Sequence, residues 1–454
     1  MQRTYNWSWV EAKVAETIAV WNSIAAKPAP DGPQYSPKEQ SKREKAYDKA
    51  LRSVERETRS APRTRAERLE AQNRITASFA RFAAAALDLE ADAIQLLTDD
   101  FLPVGTKLSQ WARQFDPDLS MADITQACRN AWTACGLQPL LGERIELTPS
   151  ILGYSLLYPY TDNYLDQRNI SEDAKHRFSD SFRDRLRGKN VSPRSSHESA
   201  LWDLVQLIED QYPRSCCPQV YDWLLAIHRA QEESIAQLRS QQPCSAEEVL
   251  RMSCAKGGTS VLVDACLARG WLSPLENRFA FEWGVLLQLG DDLQDVREDL
   301  ARGSVTLFSH AAALGTPLDA LATQLLNFSE QVGTLMDRLP NGAPMLKELL
   351  RMSWRSLIVG AVADSHQFFT PKFVEEMERS SPFRFEFLRA RRQRLTSRQG
   401  LYATLFNAFL EAPEDGIAGL PAPTRGPRNL TAPQPAESQD LREDANLPLA
   451  AFQP

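Results

Sequence analysis

Helix-start signals recur along this chain with no strand pattern between them, and that leaves few architectures open. Ser36-Pro37-Lys38-Glu39, Thr64-Arg65-Ala66-Glu67, Ser245-Ala246-Glu247-Glu248 and Ser273-Pro274-Leu275-Glu276 have capping-box spacing, in which a hydroxyl and a carboxylate each accept a backbone N–H. Thr148-Pro149, Thr316-Pro317 and Thr370-Pro371 set a cap residue before proline at the first helical position. Long stretches behind these signals repeat apolar residues every three to four positions, and no fixed-period repeat is present. The spacing predicts main helices over 65–97, 120–136, 149–167, 172–186, 197–210, 217–238, 246–269, 274–301, 317–338, 343–367 and 382–411. The expected class is all-α, a single large helical bundle around an apolar cavity.

Residues 25–36, AAKPAPDGPQYS, read as a linker behind a short N-terminal helix. After Glu411 proline becomes dense, aromatics nearly vanish and periodicity is lost, so residues 412–454 are expected to be disordered. The expected organisation is therefore 1–36 as helix and linker, 37–411 as the helical domain, and 412–454 as tail.

Composition is that of a soluble globular chain, 43% hydrophobic and 24% charged. A net charge of −7 gives no global reason to expect nucleic acid. The late basic stripe of Arg389, Arg391, Arg392 and Arg394 reads as a solvated helix face. Seven scattered cysteines without a CxxC pair indicate neither a zinc ribbon nor a disulfide framework, and fit a reducing cytoplasm. The N-terminus lacks the apolar core of a signal peptide, and no apolar run approaches the roughly 18 residues needed to cross a bilayer.

The stretch QLGDDLQDVREDL, Gln288 to Leu300, carries five acids. On a continuous helix Asp291, Asp292, Asp295, Glu298 and Asp299 share an arc of roughly 120°, opposite Leu286, Leu289, Leu293, Val296 and Leu300. A solvated acidic face would suffice, since like charges four apart cost only about 0.2–0.5 kcal/mol per pair on an exposed helix. Upstream, however, the stripe becomes Gln288, Gly284, Phe281 and Ala280, which suggests a face entering an apolar cavity. There each carboxylate pair would repel by roughly 3 kcal/mol, and divalent cations would relieve it. A second element, YPYTDNYLDQRNIS, repeats the design. Asp162 and Asp166 share a face with Asn163 beside it, Tyr158, Ser155 and Ile151 lie behind, and Pro159 is expected to kink the helix. Carboxylates without nearby histidine or cysteine suit magnesium, which commonly serves a phosphorylated substrate. The implied ligand is phosphate at one end and hydrocarbon at the other.

These residues resemble the class I isoprenoid synthases, which include trans-prenyl diphosphate synthases and class I terpene cyclases. YTDNYLD is similar to the first aspartate-rich motif of that family, with Asn163 where a second aspartate is often found, and GDDLQDVRED to its second. ACRNAWTACGLQPLLG and KGGTSVLVDACLARG complete the order over roughly residues 125–310. The resemblance implies magnesium on Asp162, Asn163 and Asp166 and on Asp291, Asp295 and Asp299, with Asp292 behind them. Asp162, Asp166, Asp291 and Asp295 are the implied catalytic set. It implies diphosphate contacts from Lys256 and Thr259, with Arg129, Asn130, Arg168, Arg183 and Arg187 as further candidates, and a glycine bend at Gly257 and Gly258. Tyr154, Tyr158, Phe281, Gly284 and Gln288 are the expected pocket liners, with Trp132 a candidate either for the pocket or for the core. The implied substrate is a prenyl diphosphate, with no nucleic-acid partner and no transmembrane segment, and the resemblance allows a homodimer. The all-aspartate second motif leans to condensation, whereas the DNxxD first motif and the long ends lean to a divergent terpene synthase. Readings of another class are an all-helical magnesium-dependent nucleotide pyrophosphohydrolase and a non-catalytic helical scaffold.

Overall fold

The computed structural model describes residues 7–25, 27–58, 62, 64–166, 170–239, 245–398 and 417–423, without the side chains of 58, 163, 166 and 235–239. Among them there is no strand. The first half comprises α1 (Trp7–Ser23), α2 (Pro37–Thr58), α3 (Arg65–Ala86), α4 (Ala91–Gln95), a π-helical turn (Leu96–Phe101), α5 (Leu102–Phe115), α6 (Met121–Leu140), α7 (Pro149–Asp166), α8 (Glu172–Leu186) and α9 (Ser196–Gln211). The second comprises α10 (Pro218–Arg239), α11 (Ala246–Arg269), α12 (Pro274–Gln294), α13 (Val296–Arg302), α14 (Leu307–Ala313), α15 (Asp319–Asp337), α16 (Pro344–Asp364), α17 (Pro371–Arg379) and α18 (Phe385–Ser397).

The start signals act as the sequence predicts except at Thr316-Pro317, where α15 begins only at Asp319 and its N-cap, Leu318, offers no side-chain hydrogen bond. Thr64 with Glu67, Ser245 with Glu248 and Ser273 with Glu276 form capping boxes, and Ser36 pairs in the same way with Glu39. Ser120 with Asp123 forms another that the Glu/Gln pattern misses. Helix 65–97 breaks after Ala86, where Asp88 takes φ +53°. Helix 274–301 breaks at Asp295, which separates α12 from α13. α7 runs through Pro159. The outer part of 382–411 lies outside the described residues.

α11 is the centre of the bundle. From Gly257 to Ala268 its side chains are buried on nearly every side, against α12, α10, α6 and α1, as expected of a helix apolar all round. Gly257 and Gly258 do not end or interrupt it. They let α12 approach instead: a methyl group on Gly284 would run into the Gly257 carbonyl oxygen, and one on Gly258 into the Phe281 ring. The two backbones touch there.

α1 joins this same core through Val10, Val14, Ile18 and Trp21. Gln324 Nε2 donates to Trp21 O (2.6 Å), and Asn327 Nδ2 to Pro28 O (3.0 Å), so α15 holds both the helix end and the following segment. Part of the tail is also held, contrary to its composition. Ile417 and Leu420 pack on the core, and Trp111 Nε1 donates to Pro421 O (2.8 Å). The rest of 412–454 lies outside the described residues.

α2, α3 and α18 build a satellite around Tyr47, Phe82, Phe383 and Phe387. Its seam is ionic. Arg384 Nε meets Glu44 Oε1 at 2.9 Å, Arg391 Nε meets Asp48 Oδ1 at 2.6 Å, and Arg394 and Arg398 both reach Glu55. Arg391 and Arg394 of the late basic stripe therefore face carboxylates of α2, while Arg389 and Arg392 bind the end of α16.

Candidate functional site

α6, α7, α11 and α12 enclose a cavity of about 460 Å³, closed on its far side by the π-turn, α5 and α16. Its mouth is charged. Arg129 Nη2 of α6 lies 3.0 Å from Asp291 Oδ1 of α12, and both side chains remain about half exposed, at 49% and 44%. Lys256 of α11 and Tyr158 of α7 line the same space.

Tyr158 joins the two acidic elements. Its phenol is held above the usual range first by the charge of Asp162, one turn on, which it also hydrogen-bonds; burial and the charge of Asp291 act the same way, against Lys256. Asp162 is half-buried and takes a hydrogen bond from Gln231 Nε2 of α10 at 2.9 Å. One Tyr158 hydroxyl thus feels a carboxylate from each motif.

The second motif does not present one acidic face. Asp292 turns inward, 6% exposed, and its two oxygens accept from Gln288 Nε2 and Ser253 Oγ, both at 2.8 Å. Burial raises its carboxyl to about 7, with Asp299 and Asp291 adding to the shift. Asp295 sits at the helix break. Burial and then Asp291, Glu298 and Asp299 push its carboxyl up to about 7, while Arg129 opposes them. Asp299 is raised by burial and held by a hydrogen bond from Thr306. Among the described residues, no three histidine, cysteine, aspartate or glutamate side chains gather into a group that could hold a metal ion. The side chains of Asn163 and Asp166 and the whole of Arg168 lie outside the described residues.

Of the remaining candidates, Asn130, Gly284 and Gln288 line the cavity with Arg129, Lys256, Tyr158 and Asp291. Others stand elsewhere. Thr259 is fully buried, its hydroxyl donates back to Ala255 O at 2.7 Å, and it lies just past the edge of the cavity face, about 60° round the helix from Lys256. Phe281 is fully buried between Gly258 and Trp9. Tyr154 packs behind the wall with its hydroxyl 3.5 Å from Ser260 O. Arg183 binds Glu232 and Asp180, and Arg187 is exposed at the end of α8.

Several lining residues escaped the sequence reading. Trp283 and Trp354, with ring centroids 5.6 Å apart, form an aromatic wall together with Trp132. Asp264 is 1% exposed on the cavity face of α11, and burial drives its carboxyl well above the usual range, against a hydrogen bond from Asn130. Its signal was present: Lys256, Ser260 and Asp264 lie four apart, and Val261, Leu262 and Val263 lead into the last. Comparison of the chain with protein-family models, with curated proteins and with solved structures finds no match.

Proposed function

We propose that this chain is a class I isoprenoid synthase-like enzyme that ionises an allylic prenyl diphosphate in the α6–α7–α11–α12 cavity. The supporting observation is one cavity that carries Arg129, Lys256, Tyr158 and Asp291 together with a wall of Trp132, Trp283 and Trp354. A diphosphate at this mouth meets the guanidinium of Arg129 and the ammonium of Lys256, which bind its oxygens. The hydrocarbon lies against Trp132, Trp283 and Trp354, whose ring faces attract positive charge and whose bulk keeps water out.

The acids suit magnesium by their chemistry. Asp162, Asp291 and Asp295 offer hard oxygen donors, and the crowding that lifts Asp295 is what a divalent cation relieves. Asp292 suits it less, because it is buried and turned towards Ser253 and Gln288. Bound there, magnesium supplies neutralisation of the charge that develops on the diphosphate leaving group.

Incubation with geranyl, farnesyl and geranylgeranyl diphosphates, with and without isopentenyl diphosphate, tests the reading. A hydrocarbon or alcohol formed without isopentenyl diphosphate identifies a cyclase, and a longer diphosphate identifies condensation. Release of neither product from any of the three overturns the proposal. A second reading, a binding protein without ionisation, is favoured by one observation: Arg129 already neutralises Asp291. Tight diphosphate binding that is indifferent to magnesium distinguishes it.

A further inference from the structure

The cavity is polar along one side as well as at its mouth. Lys256, Ser260 and Asp264 follow one another down the cavity face of α11. Eight residues of helix put Asp264 about 12 Å beyond Lys256. Asn130 faces it from α6, with Nδ2 3.0 Å from Asp264 Oδ1 and 3.1 Å from Ser155 Oγ. Among the described residues the Asn130 amide is the one hydrogen-bond partner of the Asp264 carboxyl. The other side of the cavity is aromatic and aliphatic, with Trp283, Leu287, Trp354 and Leu357.

A plain hydrocarbon chain matches only the second side. Laid along the first, it offers no hydrogen bond to the buried carboxyl or the amide beside it. A chain carrying an oxygen at the right depth satisfies both sides. A buried carboxyl held neutral has a hydroxyl to donate as well as a carbonyl to accept.

We infer that Asp264, positioned by Asn130, binds a hydroxyl or carbonyl oxygen carried on the ligand's chain, about 12 Å from the head group held at Lys256. The ligand is then an oxygenated prenyl chain rather than a bare one. The inference rests on the diphosphate reading for the head group alone; the Asp264 contact stands or falls separately.

Two pairs of probes test it on the full chain: farnesyl diphosphate with its 12-hydroxy derivative, and farnesol with 12-hydroxyfarnesol. Quenching of tryptophan fluorescence reads binding, since Trp132, Trp283 and Trp354 line the cavity. Within each pair the 12-hydroxy compound is expected to bind on the order of tenfold more tightly. Asp264→Leu removes that preference, and Asp264→Asn, which keeps an acceptor for Asn130 and a donor towards the cavity, retains most of it. Equal binding within both pairs in the wild-type protein overturns the inference, and needs no variant to fold. If both diphosphates then still outbind the alcohols, the head-group reading survives that failure. A 12-hydroxy preference with no advantage for diphosphates supports the Asp264 contact and overturns the head-group reading. Quenching by none of the four overturns both.

Discussion

Arg129 and Asp291 meet at 3.0 Å across the mouth of the cavity and tie α6 to α12 where the second acidic motif reaches the cavity. The neighbouring Asp292 points the other way, to Ser253 and Gln288. Adjacent aspartates therefore separate in environment. Asp291→Ala is expected to weaken magnesium-dependent binding of farnesyl diphosphate by at least about tenfold, whereas Asp292→Asn, which keeps acceptor and shape, changes it by less than about twofold. Titration calorimetry of both variants checks the contrast, and equal losses would refute the assignment.

Gly284 lies against the Gly257 carbonyl, with no room for a methyl group. Gly284→Ala forces α11 and α12 apart, at a cost of about 1–3 kcal/mol. Gly360, with nothing within reach of an added Cβ, is the control. Thermal unfolding followed by circular dichroism should show a clear drop in Tm for the first and little for the second.

His197 stacks on Tyr164 of α7, centroids 4.7 Å apart, and beside Phe178 of α8, and its buried Nε2 has no hydrogen-bond partner among the described residues. Burial lowers its pKa to about 4 from an ordinary 6.5. Between those values the unfolded chain binds the proton and the folded chain does not. The contribution is present above 6.5 and is lost as pH falls towards about 4. At pH 5 the loss relative to pH 7 is on the order of 2 kcal/mol. Urea unfolding at the two pH values should show a smaller difference for His197→Phe than for wild type, and an unchanged difference would count against it.

Glu55 is 5% exposed and receives both Arg394 and Arg398. Glu55→Ala leaves two guanidinium groups facing an empty site and is expected to cost about 1–3 kcal/mol. Because the α2–α18 seam is ionic, hydrogen exchange in α2 should quicken in the variant while α11 exchanges as before. Uniform quickening across both helices would mean that the satellite is not a separate unit.

The helical class was legible because capping and periodicity are local properties, and most predicted starts fall where the hydroxyl–carboxylate pairs form. α7 and α12 both reach the cavity, through Tyr158 and Asp291, whereas Asp162 is not among its lining residues. What failed had causes beyond local pattern. Asp292 was placed with Asp291 on the assumption of one open face, but Ser253 and Gln288 draw it inward. Phe281 stood at the edge of the same arc, where α11 packs, and so became core. Thr259 was carried over with Lys256, but it lies about 60° round α11 from Lys256, past the edge of the cavity face, where its hydroxyl bonds back to Ala255 O. Asp264 and the tryptophans of α12 and α16 belong to walls that only tertiary packing assembles.

The touching backbones at Gly257 and Gly284 have a bearing on how the cavity can vary. They lie one residue from Lys256 and seven from Asp291, so the spacing between cation and carboxylate is gauged by main chain rather than by side-chain reach. Substitutions at Trp132, Leu350 or Leu357 can lengthen or shorten the chamber behind, while the gap at its entrance keeps the same width.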